Sequence, residues 1–384
     1  MHELPGMVLS GIVLLGAIIT FAELVRGYRA IPVLEAQPPL SGPEPRVSII
    51  VAARNEAGEI ARAMRSLLAQ RYANYDVIAV DDRSTDGTGA ILDALTRDQP
   101  RLRVIHIDAL PPGWMGKNYA LFRGACDAGS TLLLFTDADV VFEPTALSRA
   151  VGYMEERGLD HLTAAPDLVL RTVPLALVVN FFTMGFMLFM RPWKASDPQS
   201  SRHMGIGAFN LVKAGAYAAA GTHERIAMRP DDDLKLGKAL KQTGARQHVA
   251  AGRNLLAVAW YDSLANMIRG MRKNGFAGFE YSLPYLASAT VVGLVLSVWP
   301  FVAVWVTTGL ARWLYTAAAA VLIAMYAFSA TLQRSRPWLA PAYPLAALIF
   351  LYILWASAIV TLANNGISWR DTHYPLSALR RNRI

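Results

Sequence analysis

The chain reads VDDRSTDGT from Val80 to Thr88, and this stretch decides the expected fold. It is an apolar strand that ends in two carboxylates, Asp81 and Asp82, and continues into a polar turn. The stretch LLLFTDAD at 132–139 repeats this arrangement. In open α/β sheets the ligand crevice lies beyond the carboxyl ends of the strands. The two strand ends therefore predict one polar binding site.

Strands and helices alternate from residue 46 to residue 260, and this region is expected to be a single α/β domain. Short β-branched runs bounded by turn residues are typical of buried strands, and the segments between them have helical patterns. This alternation predicts a doubly wound, mostly parallel sheet. The expected strands are 47–52, 75–80, 102–107 and 132–135, and the expected helices are 59–69, 87–96 and 117–128.

The composition points to membrane segments outside this domain. Of 384 residues, 54% are hydrophobic and 17% are charged, which is too apolar for one ordinary soluble domain. Residues 7–25 are nearly all apolar and long enough to cross a bilayer, within an expected anchor at 1–28. A cleavable signal peptide is the alternative, but no basic stretch precedes the apolar run. Arg26 and Arg29 follow it, so the next domain is expected in the cytoplasm.

The last third of the chain is expected to hold two to three membrane helices, within residues 283–364. Three apolar runs, 283–306, 313–332 and 338–362, are flanked by arginines and aromatic residues. Three complete crossings would leave the basic tail, 365–384, outside the cell, against the charge rule. Either one segment is re-entrant or the rule fails here. Residues 29–45 are expected to be a linker, since 38–45 contain four prolines.

The apolar run at 174–190 poses a topological question. A crossing there would place the two halves of the α/β domain on opposite sides of the membrane. The segment 174–193 is therefore expected to be an amphipathic interfacial helix, with a buried core helix as the alternative.

Asp137 and Asp139 are candidate metal ligands. Two carboxylates spaced i, i+2 at a strand end can share a hard cation, Mg²⁺ or Mn²⁺, which takes its other ligands from substrate phosphates and water. Such a cation makes a diphosphate a better leaving group because it offsets the developing negative charge. Asp81 and Asp82 are expected to face a nucleotide, whereas Asp86 is expected to cap the following helix.

Three further groups of charged residues are candidates for the site. Asp231, Asp232 and Asp233 begin a helical pattern; adjacent acids repel one another and raise a carboxylate pKa, as suits a general base. Lys117 lies in a loop ahead of a helix and either binds phosphate or is solvated. A basic amphipathic segment, 261–282, carries Arg269, Arg272 and Lys273 on one helical face. These side chains are expected to contact either anionic lipid or a diphosphate.

The overall charge does not indicate a nucleic-acid partner. The formal net charge is +8, but the middle of the chain lacks a compact run of Lys and Arg. The single cysteine, Cys126, excludes an intrachain disulfide and argues against a cysteine-based zinc site.

Taken in order, these motifs resemble the family 2 glycosyltransferases of the GT-A fold, over residues 46–276. VSIIVAARNE is similar to the opening strand and base-contacting loop, here with Asn55 and Glu56. VDDRSTDGT resembles the nucleotide motif and TDAD the metal-binding triplet. GIGAFNLVKAGAYAAAGTHE resembles the acceptor-side segment, and PDDDLKLGKALKQTGAR the segment that carries the catalytic base.

The resemblance implies specific site residues. Asp82, with Asp81, would contact the nucleoside, and Asp139, with Asp137, the metal. The base would be Asp233, with Asp232 beside it, if DDLKLG is aligned as an acidic pair, or Asp231 if DDDL is a D-x-D-L variant. The Q-x-x-R-W motif of processive polysaccharide synthases is missing; the region reads RGMRKNGFAG, where Arg272 and Lys273 would replace part of its diphosphate contact.

The resulting expectation is an inverting glycosyltransferase of the bacterial inner membrane with a cytoplasmic catalytic domain. It would move one sugar from a nucleotide-diphosphate sugar, with a UDP-sugar as the expected donor, to a hydroxyl of a membrane lipid. The layout is similar to the ceramide-glucosyltransferase-like, hopanoid-associated and carotenoid glycosyltransferases. The alternatives are a glycan-extending polysaccharide synthase and a catalytically idle membrane scaffold.

Overall fold

The computed structural model describes residues 3–370, 372–382 and 384, and it contains both an extended sheet and a set of apolar helices. The strands are β1 (Val47–Ala53), β2 (Tyr75–Asp82), β3 (Leu102–Ile107), β4 (Leu132–Asp137), β5 (Val141–Phe142), β6 (His161–Ala165), β7 (Asp167–Leu168), β8 (Asn210–Lys213), β9 (Gln247–Ala251), β10 (Leu256–Val258), β11 (Gly366–Trp369) and β12 (Thr372–Pro375). The helices are α1 (Glu3–Ala30), α2 (Ile60–Leu68), α3 (Thr88–Thr96), α4 (Gly116–Asp127), α5 (Ala146–Glu156), α6 (Val173–Met190), α7 (Ala214–Ala219), α8 (Asp232–Gln242), α9 (Leu264–Met271), α10 (Leu283–Gly293), α11 (Trp299–Val306), α12 (Gly309–Leu332), α13 (Tyr343–Ala363) and α14 (Leu376–Arg381).

The chain divides into two compact units. The sheet unit comprises Ile31–Val169, Pro192–Trp260 and Ser368–Ile384. The helical unit comprises α1, Leu170–Arg191 and Tyr261–Ile367. The sheet unit therefore includes residues 31–45, expected as a linker, and most of the basic tail.

The main sheet has seven strands in the order β3-β2-β1-β4-β8-β6-β9. β1 is parallel to both β2 and β4, and β2 is parallel to β3, as expected for a doubly wound α/β fold. β8 runs antiparallel to β4 and β6. The predicted α/β class with a mostly parallel sheet is confirmed. The chain reverses direction along the sheet between β1 and β4, which is where such folds bind ligands.

The strand ends differ slightly from the sequence-based prediction. β2 continues through Asp82 because Asp81 and Asp82 pair with His106 and Ile107 of β3. β4 likewise continues to Asp137, which pairs with Ala52 of β1. The carboxylates therefore project from the last paired residues of the strands, where the sheet itself limits their movement.

The sheet is buried on both faces. All eight residues of β2 and six of the seven of β1 are buried. On α2 the buried residues Ile60, Ala63, Met64 and Leu67 follow the i, i+3, i+4, i+7 pattern of an amphipathic helix. Leu34, from the expected linker, is also buried in this core, so that stretch packs on the sheet unit.

The helical unit has its own apolar core. Leu24 of α1, Leu177 and Met184 of α6, and Tyr326 of α12 are buried in one cluster with Tyr343 of α13. Within the described residues, five helical stretches are long and apolar enough to cross a membrane: Gly6–Ala30, Val173–Lys194, Leu283–Val306, Gly309–Leu332 and Pro337–Ala363. The expected apolar helices near both ends of the chain are confirmed.

Two expectations about the helical unit need correction. The helix expected at 174–193 is not amphipathic: α6 is apolar around its circumference, apart from Asn180 and Thr183, and Leu175 to Asn180 are buried. The first part of α6 is thus buried, whereas most of its second half is partly exposed, with Phe189 55% exposed, and the interfacial placement stays a prediction. The basic face of 269–273 is also interrupted. α9 ends at Met271, and Arg272 and Lys273 lie in the turn that follows it, where the N–H groups of Asn274 and Gly275 donate to the Met271 carbonyl.

Candidate active site

Two loops at the carboxyl edge of the sheet are tied to each other. The loop after β1 carries Asn55, whose φ of 54° is in the left-handed region. Its Oδ1 accepts the Thr85 N–H at 2.8 Å, and its own N–H donates to Ser84 Oγ at 3.0 Å. The Glu56 N–H donates to Thr88 Oγ1 at 2.8 Å. Asn55 and Glu56 are therefore held against the loop after β2.

Asp81 and Asp82 project toward different helices, as successive strand residues do. Asp81 Oδ2 lies 3.1 Å from His106 Nδ1. A Cβ added to Gly89 of α3 would lie 2.7 Å from this same oxygen. Asp82 Oδ2 would lie 2.1 Å from a Cβ at Gly116, so glycine is needed where α4 begins. Only Asp82 is directed toward α4, the helix that carries Lys117.

Asp82 is surrounded by cationic side chains. The Arg83 guanidinium donates to both of its oxygens, at 2.7 and 3.1 Å, and Arg54 Nη1 lies 3.6 Å away. The side chain of Asp82 is 4% exposed. Asp86, by contrast, accepts the N–H groups of Thr88 at 2.9 Å and Ala57 at 3.1 Å. Asp86 thus stabilises the turn before α3, whereas the N-cap residue of that helix is Gly87.

Lys117 links β4 to α8. Its Nζ lies 2.8 Å from Asp137 Oδ1 and 3.3 Å from Asp232 Oδ2. Burial opposes the charge on this lysine, but Asp137 and Asp232 outweigh it and raise the Lys117 pKa well above its usual value. Lys117 is therefore paired with carboxylates rather than solvated, and its expected contact with phosphate stays a prediction.

Asp139 is one of a group of carboxylates with excess negative charge. Burial, and then the neighbouring Asp137 and Glu56, raise the pKa of Asp139 to about 7. Among the described residues, no three His, Cys, Asp or Glu side chains converge as a complete metal site. One or two carboxylates suffice for a hard cation that takes its other ligands from phosphates and water. The donor set at Asp137 and Asp139 fits such a cation.

The three adjacent aspartates have different environments. Asp231 receives Arg229 Nε at 2.8 Å and Nη2 at 3.0 Å, and Lys235 Nζ lies 3.6 Å away. Asp232 faces Lys117. Asp233 instead accepts two backbone N–H groups, from Gly207 and Leu234, each at 2.8 Å. Burial and then Asp232 raise the pKa of Asp233 to about 7. Asp233 therefore has the environment of a general base near neutral pH.

A small cavity brings these groups together. It is lined by Asp137 of β4, by Asp232 and Asp233 of α8, and by Lys117, which contacts both Asp137 and Asp232. The cavity is also lined by His223, which sequence reasoning did not single out. Burial lowers the pKa of His223 to about 3, so this imidazole is neutral, and its Nδ1 lies 2.7 Å from Tyr217 Oη.

His223 follows a strained turn. That strain is visible in the backbone but not in the sequence. Thr222, directly before His223, has φ 55° and ψ −164°. A β-branched residue at positive φ is a genuine outlier, and such strain clusters at functional sites.

Arg272 and Lys273 belong to the helical unit. Arg272 ends α9, and its carbonyl accepts the Ser357 hydroxyl of α13 at 2.7 Å. Their expected contact with a diphosphate stays a prediction. The other predicted site residues, from Asn55 to Asp233, all lie in the sheet unit.

Comparison with known proteins gives a family match for part of the chain. Residues 48–175 match the model described as glycosyl transferase family 2. The chain is 22% identical over 254 residues to 4,4'-diaponeurosporenoate glycosyltransferase from Staphylococcus haemolyticus, covering 65% of this chain and 66% of that enzyme. It is 34% identical over 161 residues to beta-monoglucosyldiacylglycerol synthase from Synechocystis sp., covering 39% of this chain but only 31% of that enzyme.

A solved structure shares the fold. The mannosyltransferase PcManGT from Pyrobaculum calidifontis, solved in complex with GDP-Man and Mn²⁺, aligns with a TM-score of 0.54 at 18% identity. The alignment covers 93% of this chain and 99% of that one. The predicted GT-A fold is thereby confirmed.

Proposed function

Because the chain carries a glycosyl transferase family 2 domain, we propose that it is an inverting glycosyltransferase that adds one sugar to a membrane lipid. A single observation carries the proposal. Asp233, with the raised pKa of a base, lines the same small cavity as Asp137 of the expected metal site. A base and a leaving-group site that line one cavity support a single displacement at a sugar carbon.

The donor would be a nucleotide-diphosphate sugar, with a UDP-sugar as the first expectation. Asp82 would contact the nucleoside, with Asn55, Glu56 and Asp81 shaping the loops around it. The related fold was solved with GDP-Man and Mn²⁺, which supports a nucleotide sugar without choosing the nucleotide. Asp139, with Asp137, would hold Mg²⁺ or Mn²⁺. That cation would supply charge compensation for the leaving diphosphate.

Asp233 would act as the base. Its two backbone N–H contacts orient the carboxylate, and its raised pKa suits proton removal from a hydroxyl near neutral pH. The acceptor oxygen would then attack the anomeric carbon from the face opposite the diphosphate, which inverts the configuration. Asp231 is less suited to this role because Arg229 and Lys235 already neutralise it. Asp232, held by Lys117, would support the charge balance beside the base.

The acceptor would be a lipid hydroxyl. The five apolar stretches would place the protein in a membrane, the bacterial inner membrane in our proposal, with the sheet unit in the cytoplasm. The names of two relatives refer to lipid compounds, diaponeurosporenoate and monoglucosyldiacylglycerol.

The proposed membrane topology is supported by the residues that flank the apolar stretches, which belong to the sheet unit. Val169 and Pro192, on either side of α6, both belong to it, so α6 would not cross the membrane. Trp260 and Ser368, before and after the three C-terminal stretches, also both belong to it. The number of complete crossings between them is therefore even, and at least one stretch would turn back. This supports a re-entrant segment over a failure of the charge rule.

The test uses membranes that contain the full-length protein. Each radiolabelled nucleotide sugar is added in turn, and the extracted lipids are analysed by mass spectrometry. We expect one donor to give a lipid heavier by a single sugar, and Asp139→Ala to lose this product. A long, heterogeneous glycan would instead indicate a polysaccharide synthase, and donor binding without turnover an idle scaffold.

A further inference from the structure

The chain returns to the sheet unit after its apolar helices. Ser368–Ile384, here called the returning segment, contains β12 and α14 and lies outside the region matched by the family model. Tyr374 is 4% exposed, Leu376 5% and Leu379 0%, so the segment is packed on the sheet unit as part of its core.

Arg370 joins this segment to the loop after β1. Its guanidinium donates to the carbonyl oxygens of Arg54 and, at 3.2 Å, Asn55, and it also pairs with the Glu56 carboxylate. Three consecutive residues of the loop are thus held by one side chain. The same loop contains Asn55 in the left-handed conformation that asparagine readily adopts.

Two more residues of the returning segment reach other loops of the site. Tyr374 Oη accepts the N–H of Gly116 at 3.3 Å, next to Lys117. Asn382 Oδ1 accepts the Met228 N–H at 2.9 Å, just before the three aspartates. The returning segment therefore contacts the segments that precede Glu56, Lys117 and Asp231.

We propose that the returning segment completes the donor site, with Arg370 as the residue that positions loop 54–56 for the nucleoside diphosphate. This inference rests on the proposed function. A donor that meets a preformed loop does not have to order it, so its affinity is higher. Arg370 also offsets the charge of Glu56, which stands beside Asp137 and Asp139 and would otherwise repel a diphosphate.

Affinity for the donor is the quantity to measure. The full-length protein in detergent with Mn²⁺ is titrated with UDP and with GDP by calorimetry, and KM values are measured for donor and acceptor. Arg370→Ala should weaken nucleotide binding and raise the donor KM by about 10-fold, as expected for loss of a charged hydrogen-bonded group. The acceptor KM should not change. Arg370→Lys should recover part of the affinity, because lysine restores the charge but not the forked contact.

The matched control is Arg381→Ala, which removes an exposed arginine from the same segment and should bind nucleotide like the wild type. If Arg370→Ala fails to fold, Tyr374→Phe replaces it, with an expected donor KM increase of about 3-fold and an unchanged acceptor KM. Wild-type affinity in the variant that folds, Arg370→Ala or its replacement Tyr374→Phe, would overturn the inference and leave the proposed function intact. Failure of the wild type to bind either nucleotide would overturn both.

Discussion

Lys117 Nζ lies 2.8 Å from Asp137 Oδ1, and this ion pair joins the expected donor and acceptor sides of the site. The same ammonium group lies 3.3 Å from Asp232, at the start of the helix that carries the proposed base. Among the described residues that line this cavity, Lys117 is the only cationic side chain that pairs with both β4 and α8.

Lys117→Met should destabilise the protein and reduce transfer. Removing the cation leaves Asp232 buried without its partner, at a cost of about 2 kcal/mol once the solvent exposure of Asp137 is allowed for. Protonation relieves an unpaired carboxylate, so the loss should be larger at pH 8 than at pH 5. Thermal unfolding at the two pH values measures this loss of stability. Lys194→Met, which replaces an exposed lysine, is the control. Equal losses at both pH values would argue against the pairing.

Gly205→Ala should displace the base without removing any functional group. An added Cβ would lie 1.8 Å from the backbone carbonyl oxygen of Asp233, so the chain around Gly207 would have to move away from α8. The hydrogen bond from Gly207 to Asp233 would be lost, and we expect kcat to fall about 100-fold. Gly215→Ala is the matched control, since its added Cβ has nothing within 4 Å. It should keep full activity and gain up to about 1 kcal/mol of stability.

The rate of transfer should depend on pH near neutrality. The base must be ionised, and the pKa of Asp233 is raised to about 7, so activity should fall as the pH drops through 7. The measurement is the pH profile of kcat at saturating Mn²⁺, so that protonation of Asp139 does not limit metal binding. A flat profile between pH 5.5 and pH 8 would contradict the assignment of Asp233 as the base.

A divalent cation should be required for transfer. Removal with a chelator should abolish activity, and Mn²⁺ or Mg²⁺ should restore it, because the carboxylates near Asp139 carry excess negative charge without the ion. Asp139→Asn should weaken Mn²⁺ binding, measured by calorimetry in the presence of a nucleoside diphosphate. Full activity of the chelated wild type would exclude a metal-dependent mechanism.

Local patterns were sufficient to predict the parallel part of the sheet. Each of β1 to β4 is followed or preceded by a helix close in the sequence, and their boundaries were predicted to within two residues. The two carboxylate motifs were also expected to share one edge, because parallel strands end on the same side. The predicted GT-A fold and the apolar helices near both ends of the chain were confirmed, and the membrane insertion of those helices stays a prediction.

Long-range pairing was not predictable. Nothing near Arg370 in the chain indicates that it contacts Glu56, more than 300 residues earlier. The three aspartates of 231–233 are equivalent in sequence, yet Arg229, Lys117 and Gly207 give each a different partner. Both cases depend on the folded backbone, and so does the strained Thr222 that precedes His223.

The most direct test compares Asp233→Asn with the wild type in single-sugar transfer to lipid. Asparagine removes the proton acceptor but keeps the shape, so labelled product should form about 1,000-fold more slowly while the calorimetric affinity for the nucleoside diphosphate stays the same. The control is Asp98→Asn, an exposed aspartate of the same unit, which should behave like the wild type. Wild-type rates of lipid glycosylation by Asp233→Asn would contradict the mechanism.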